Sequence, residues 1–142
     1  SPRIVNSVFV SFLKEGISRK VSASDKAPKA LGPYAQAVLV GSTLDRSGQI
    51  AINRETGEFV QSSIEAETEQ IMHNLEAVLT EAGYGFMHVV KTTIFATDIK
   101  DFEAINGVYA KYFKSNPPAR SFVQVAALPK GARVEIEAIA YK

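Results

Sequence analysis

Cysteine and tryptophan are both absent from this chain, and histidine occurs only at His73 and His88. Without cysteine there is no disulfide, no thiolate nucleophile and no cysteine-bound metal. Two histidines outside any spaced ligand motif leave a zinc site little to build on. No apolar run approaches the roughly 20 residues that span a bilayer, which excludes a membrane-spanning helix. An excess of either charge is lacking too. Lys and Arg number 16 against 15 Asp and Glu, a formal net charge of +1, so there is no strong field to attract a phosphate polymer.

What is present is ordinary for a globular domain. The 142 residues are close to the modal size of a single domain, enough to bury roughly two-thirds of the unfolded surface. Residues 1–20 differ from the remainder. Ile4, Val5, Val8, Phe9, Phe12, Leu13 and Ile17 recur at helical spacing, with four basic residues against Glu15 and serine at 1, 7, 11 and 18. That composition points to a mitochondrial targeting segment. An accessory helix, or a strand at Val8–Phe12, is the alternative. The expected location is the mitochondrial matrix on the first reading and the cytoplasm on the second.

The single domain expected over 21–142 opens with a loop rich in Pro and Gly. From Ala35 to Ile52, short apolar runs broken by Gly41-Ser42 predict two strands and a hairpin, and 53–57 a turn. The spacing of Ile64, Thr68, Ile71, Leu75, Val78 and Ala82 predicts a helix over 62–82. Ser62-x-x-Glu65 offers a capping box and Gly83 a stop. A strand is expected over 89–97 and a second helix over about 101–114, broken by Asn116-Pro-Pro; strands follow over 121–127 and 133–141. The order predicts an α+β fold with two helices on one face of the sheet. With no third helix left to cover the other face, a symmetric oligomer packing sheet against sheet is expected.

In the last strand, period-two alternation sets Val134, Ile136, Ala138 and Ala140 on one face, and Glu135, Glu137, Ile139 and Tyr141 on the other. Two carboxylates thus line one side of a strand whose expected partner begins with Arg120. On spacing alone this reads first as an exposed charged face, or a cross-strand ion pair worth about 0.2 to 1 kcal/mol.

The run Pro118-Ala-Arg120-Ser121, followed by Val-x-Val-Ala-x-Leu-Pro-x-Gly-Ala-x-Val-Glu135-Ile-Glu137, changes that weighing. It closely resembles the C-terminal signature of the reactive intermediate/imine deaminase (YjgF-type, RidA-like) family. Gly32-Pro33-Tyr34-x-Gln36-Ala37, Ser47-Gly48-Gln49-Ile50, Asn53-x-x-Thr56-Gly57-Glu58, Lys91-Thr92-Thr93-x-Phe95, Asp101-Phe102 and Asn106-x-x-Tyr109 agree with it, so the likeness runs from about residue 24 to 142.

The resemblance implies a chorismate-mutase-like α+β fold with a mixed sheet, forming a homotrimer with the sheets facing inward and ligand sites in the clefts between subunits. It implies hydrolysis of the enamine and imine products of pyridoxal-phosphate enzymes, such as 2-aminoacrylate and 2-iminopropanoate, to 2-keto acids and ammonia, without a metal or organic cofactor. It carries the carboxylate-binding arginine onto Arg120, the water-linked glutamate onto Glu135 and a cleft tyrosine onto Tyr34. A guanidinium suits a planar carboxylate because it can hold it through two parallel hydrogen bonds. A carboxylate placed beside the electrophilic imine carbon can accept the proton of an attacking water.

Ser47 and Gly48 are expected to bring backbone groups near the ligand, with a strand-end bulge as the bland reading. Asn106 is assigned mainly a structural role, with the further option of holding a site loop. Two departures stand out. Phe122 occupies a position where many family members have cysteine and is expected to lend its backbone amide, with a larger side chain able to narrow the cleft. Asp45-Arg46 precede Ser47 where apolar or small residues are usual. Glu137 is expected to form an ion pair, and His73 and His88 to be surface or capping residues. The rival readings are a non-catalytic protein binding small carboxylates, discriminated by Glu135, and a ribonuclease or translation inhibitor, which the near-neutral charge disfavours.

Overall fold

A computed structural model of the chain describes residues 8–12, 17–22 and 37–142. The Pro- and Gly-rich loop and Tyr34 lie outside the described residues. The strands are β1 (Val8–Phe12), β2 (Ile17–Ser22), β3 (Ala37–Val40), β4 (Thr43–Gln49), β5 (Val89–Ala96), β6 (Ala119–Gln124) and β7 (Val134–Tyr141). The helices are α1 (Ile64–Glu81) and α2 (Phe102–Tyr109). The strands form one sheet in the order β1-β2-β3-β4-β7-β5-β6, mixed because β5 and β6 run parallel while the other neighbours are antiparallel. Of the two readings of residues 8–12, the strand is the one taken.

Gly41 turns the hairpin between β3 and β4 at φ 59°, a left-handed conformation that glycine adopts without steric cost. Helix α1 begins one residue later than its sequence signature suggests. Ser63, not Ser62, is the N-cap, and its hydroxyl accepts the Ala66 N–H at 3.0 Å. The capping box is therefore not formed: the third helical residue is Ala66, which cannot reach back to the cap as a glutamate would. At the other end Gly83 (φ 80°) donates to Thr80 O and Tyr84 to Leu79 O, the paired bonds of a Schellman stop.

The apolar stripe of α1, with Ile64, Ile71, Leu75, Val78 and Leu79 buried, packs on β4 and β7 and against α2. Its counterparts are the inward residues of the strands: Leu44, Ile94, Val134, Ile136, Ala138 and Ala140, each at most 2% exposed. Both helices cover the same sheet face, and β7 alternates buried residues with partly buried or exposed ones, in the two faces its sequence predicts. Helix α2 is shorter than expected and ends at Tyr109. From there the chain tightens into i→i+3 bonds, Lys111 to Val108, Tyr112 to Tyr109 and Phe113 to Ala110.

The expectation that β6 and β7 are partners is overturned. The parallel β5–α2–β6 crossover sets β6 at the outer edge of β5, while β7 returns antiparallel on the inner side, so β5 lies between them. A parallel pair requires such a crossover, and here α2 supplies it.

Candidate active site

Arg120 sits on the edge strand β6 in register with Thr92 of β5. Its side chain reaches the helical face of the sheet, where three residues of α2 meet it. Phe102, Asn106 and Tyr109 are spaced by four and then three, which places them on one stripe of the helix. Asn106 Oδ1 accepts a hydrogen bond from Arg120 Nη1 at 2.5 Å. The guanidinium carbon lies 5.1 Å from the Tyr109 ring centroid and 5.6 Å from that of Phe102. Among the described residues Arg120 forms no ion pair and makes no other side-chain hydrogen bond. The sequence brings Arg120 and Asn106 to attention, and these two are in contact. Phe102 and Tyr109 lie in matching motifs but receive no site role from the sequence, although their spacing from Asn106 was the available signal.

Phe122, two residues along the same strand face, turns its ring toward Phe102, with centroids 4.9 Å apart and planes at 73°. It packs at the edge of the core beside Arg120.

The second group of predicted residues occupies the other face. Glu135 of β7 is paired with Phe95 and stands opposite in direction to the buried Val134 and Ile136. Between β4 and β7 the register slips. Arg46 pairs with Ala138 and Gln49 with Ile136, so three steps on β4 match two on β7 and one residue is bulged at Ser47–Gly48. The bulge lies against the glutamate. A Cβ built on Gly48 falls 2.8 Å from Glu135 Cδ, closer than real carbon contacts come, so any side chain here displaces the Glu135 carboxyl. Burial pushes the Glu135 carboxyl above the ordinary carboxylate range, and the negative charge of Glu137 adds to the rise. Such a group exchanges protons more readily near neutral pH than an exposed glutamate does.

Glu137 itself is exposed and makes no ion pair among the described residues, contrary to expectation. Lys91, on the same open face, donates instead to Ser121 Oγ at 2.8 Å. His73 is exposed on α1, 3.5 Å from Glu69, and His88 Nδ1 accepts the Gly85 N–H at 2.9 Å, the surface and capping roles expected of them.

Within one chain, then, Arg120 and Glu135 point to opposite faces of the sheet and belong to separate clusters: Arg120 with Asn106 and the aromatic residues, Glu135 with Gly48. A single chain does not bring both to one small ligand. A concavity of about 550 Å³ lies elsewhere, between α1 and α2 on the side of α2 turned away from Arg120, lined by Glu65, Glu69, Glu103, Gly107 and Lys111 among others.

One buried acid escaped the sequence reading. Glu67 is fully buried on α1, and its Oε2 accepts the backbone N–H groups of Arg133 and Val134 at 2.8 and 3.1 Å. Its position, three residues from Ile64 and four from Ile71, lies on the apolar stripe, and that was the signal. The bonds tie the start of β7, two residues before Glu135, to the helical layer. Bidentate pairing of Arg133 Nη2 with Asp101, at 2.9 and 3.1 Å, holds the same corner to α2.

Residues 24–142 match the family model described as Endoribonuclease L-PSP. A Myxococcus xanthus protein named Protein DfrA is 52% identical over 126 residues, covering 87% of this chain and 96% of its own. A human protein named 2-iminobutanoate/2-iminopropanoate deaminase is 50% identical over 122 residues, covering 86% and 89% respectively. Among solved structures, one of a Yersinia pestis protein, described as of unknown function in the conserved Rid family, superposes with a TM-score of 0.85. It is 49% identical and covers 87% of this chain and 99% of its own.

Proposed function

The chain belongs to the Endoribonuclease L-PSP family, the RidA- and YjgF-type reactive intermediate deaminases, and within it we propose a hydrolytic deaminase of small 2-imino acids. The substrates are 2-aminoacrylate, its tautomer 2-iminopropanoate and related imines, and the products are a 2-keto acid and ammonia. The observation that carries this reading is the Arg120 guanidinium, gripped on its flanks by α2 with a single side-chain hydrogen bond to Asn106 among the described residues. It is a planar fork with donors left to meet a carboxylate.

With the carboxylate on Arg120, the protonated imine carbon is electrophilic without further activation. Water adds to that carbon and Glu135 accepts its proton, giving a carbinolamine. Glu135 then returns the proton to nitrogen, the C–N bond breaks as ammonia leaves, and the hydroxyl proton passes back to the Glu135 carboxylate as the carbonyl forms. The raised carboxyl of Glu135 suits both steps. Ser47 and Gly48 form the bulge beside that carboxyl. Phe122 offers its backbone amide next to Arg120, and Tyr34 is assigned to the cleft wall on the strength of its motif.

Because Arg120 and Glu135 face opposite sides of one sheet, this chemistry needs two chains, Arg120 from one and Glu135 from its neighbour. A symmetric oligomer, for which a homotrimer is proposed, supplies that pairing. The imines themselves would be released by pyridoxal-phosphate dehydratases of serine or threonine. The proposed compartment is the mitochondrial matrix if residues 1–20 act as a targeting segment, and the cytoplasm otherwise. The family description names an endoribonuclease, but 16 basic against 15 acidic residues provide little to hold an RNA backbone. The test is to add the protein to a serine or threonine dehydratase reaction and follow keto acid release. The wild type should accelerate it and Arg120→Ala should not; no acceleration by the wild type overturns the reading.

A further inference from the structure

We infer that Phe102 and Tyr109 are positioning residues, whose rings fix the plane of the Arg120 guanidinium and so set how tightly the protein holds a carboxylate. This rests on the proposal that Arg120 binds the substrate carboxylate.

Both rings lie within the roughly 6 Å at which a guanidinium is attracted to an aromatic face, at 5.1 and 5.6 Å. They approach from the same helix stripe that carries Asn106, so one rigid element supplies both ring contacts and the hydrogen bond to Arg120. The rings are themselves held. The Tyr109 hydroxyl shares a 2.7 Å hydrogen bond with Thr92, the residue in register with Arg120 on the next strand. Tyr109 also packs on Phe113 at 4.7 Å, and Phe102 on Phe122 at 4.9 Å.

The guanidinium therefore sits within a run of aromatic contacts from Phe122 through Phe102 and across to Tyr109 and Phe113, while Asn106 fixes rotation about the remaining axis. An arginine free to swing would lose side-chain entropy on closing around a flat anion. One already held in plane loses less, and the difference appears as affinity. The aromatic contacts also leave the N–H edge of the guanidinium for a ligand, since a ring face engages the cation without occupying its hydrogen-bond donors.

The experiment measures calorimetric affinity for 2-oxobutanoate and for its uncharged methyl ester in wild type, Phe102→Leu, Tyr109→Leu and Tyr109→Phe, with thermal melts to confirm folding. Either leucine variant should weaken 2-oxobutanoate binding about tenfold, in line with the loss of one cation–π contact, and leave ester binding unmoved. Tyr109→Phe, which keeps the ring, should retain more carboxylate affinity than Tyr109→Leu. In imine turnover the leucine variants should raise KM more than they lower kcat. Folded leucine variants that bind 2-oxobutanoate like the wild type, or that lose ester binding equally, overturn the inference. If the wild type binds 2-oxobutanoate with the predicted variant pattern yet turns over no imine, the deaminase reading fails and this inference stands. If the wild type does not bind 2-oxobutanoate at all, the inference fails.

Discussion

Glu67 accepts the backbone N–H of Arg133 at 2.8 Å from inside the core, and the same oxygen accepts that of Val134. A helix thereby holds the first residues of the strand that carries Glu135. Burial raises the Glu67 carboxyl above its ordinary range, partly offset by these two bonds. Glu67→Ala leaves two buried donors without their acceptor, an expected cost of about 2–4 kcal/mol in urea unfolding. A loss within about 0.5 kcal/mol would mean that the latch is not stabilising.

The sign of the pH effect follows from the direction of that shift. A carboxyl raised on folding gives its full contribution below the unfolded pKa and loses it as pH rises through the folded pKa. Relative to Glu67→Gln, which cannot ionise, the wild type should therefore be most stable at low pH and lose ground as pH rises above the ordinary glutamate range. Parallel stability curves for the two proteins would contradict this.

A methyl group on Gly48 would occupy the place of the Glu135 carboxyl. Gly48→Ala should displace the carboxyl and lower kcat about tenfold or more, with little loss of stability because the glutamate side chain can swing aside. Steady-state kinetics on a variant shown to be folded checks this, and unchanged kcat would separate the bulge from the chemistry.

Activity should rise with pH through a midpoint above the ordinary glutamate range, because the ionised form of Glu135 accepts the water proton and burial raises its pKa. Glu137→Gln removes the neighbouring negative charge and should move that midpoint down. A midpoint that stays put, or moves up, would assign the titration to another group.

The N-cap offers a local check. Ser63→Ala should destabilise the protein by about 0.5–2 kcal/mol and Ser62→Ala by far less, since the Ser63 hydroxyl bonds Ala66 N–H. Chemical denaturation of both variants distinguishes them.

Much of the fold was legible because the relevant signals are local. Gly41-Ser42 marked its hairpin, the three- and four-residue spacing of Ile64, Ile71, Leu75 and Val78 marked α1, and the alternation of 134–141 marked both faces of β7. Strand order was not legible. That β5 separates β6 from β7 depends on where the α2 crossover lands, and no residue in either strand records it. Ser62 and Ser63 are equivalent as caps until the first helical turn is in place. At the site, Arg120, Asn106, Glu135 and Gly48 stood out through motif resemblance. Phe102 and Tyr109 lay in matching motifs without a site role and Glu67 in none, because an aromatic or an acid on a helix gives no sign of its partner until tertiary packing brings the two together.

The most direct test of the central claim, that Arg120 of one chain works with Glu135 of another, mixes two inactive variants. Arg120→Ala and Glu135→Gln are each purified, shown to be folded, then unfolded together and refolded at equal ratio, and imine hydrolysis is measured on the mixed oligomers. A shared site regains both groups when the arginine comes from one variant and the glutamate from the other. About a quarter of wild-type activity should therefore return from random mixing. Mixed oligomers that stay as inactive as the parent variants, under conditions where refolded wild type is active, would contradict the account.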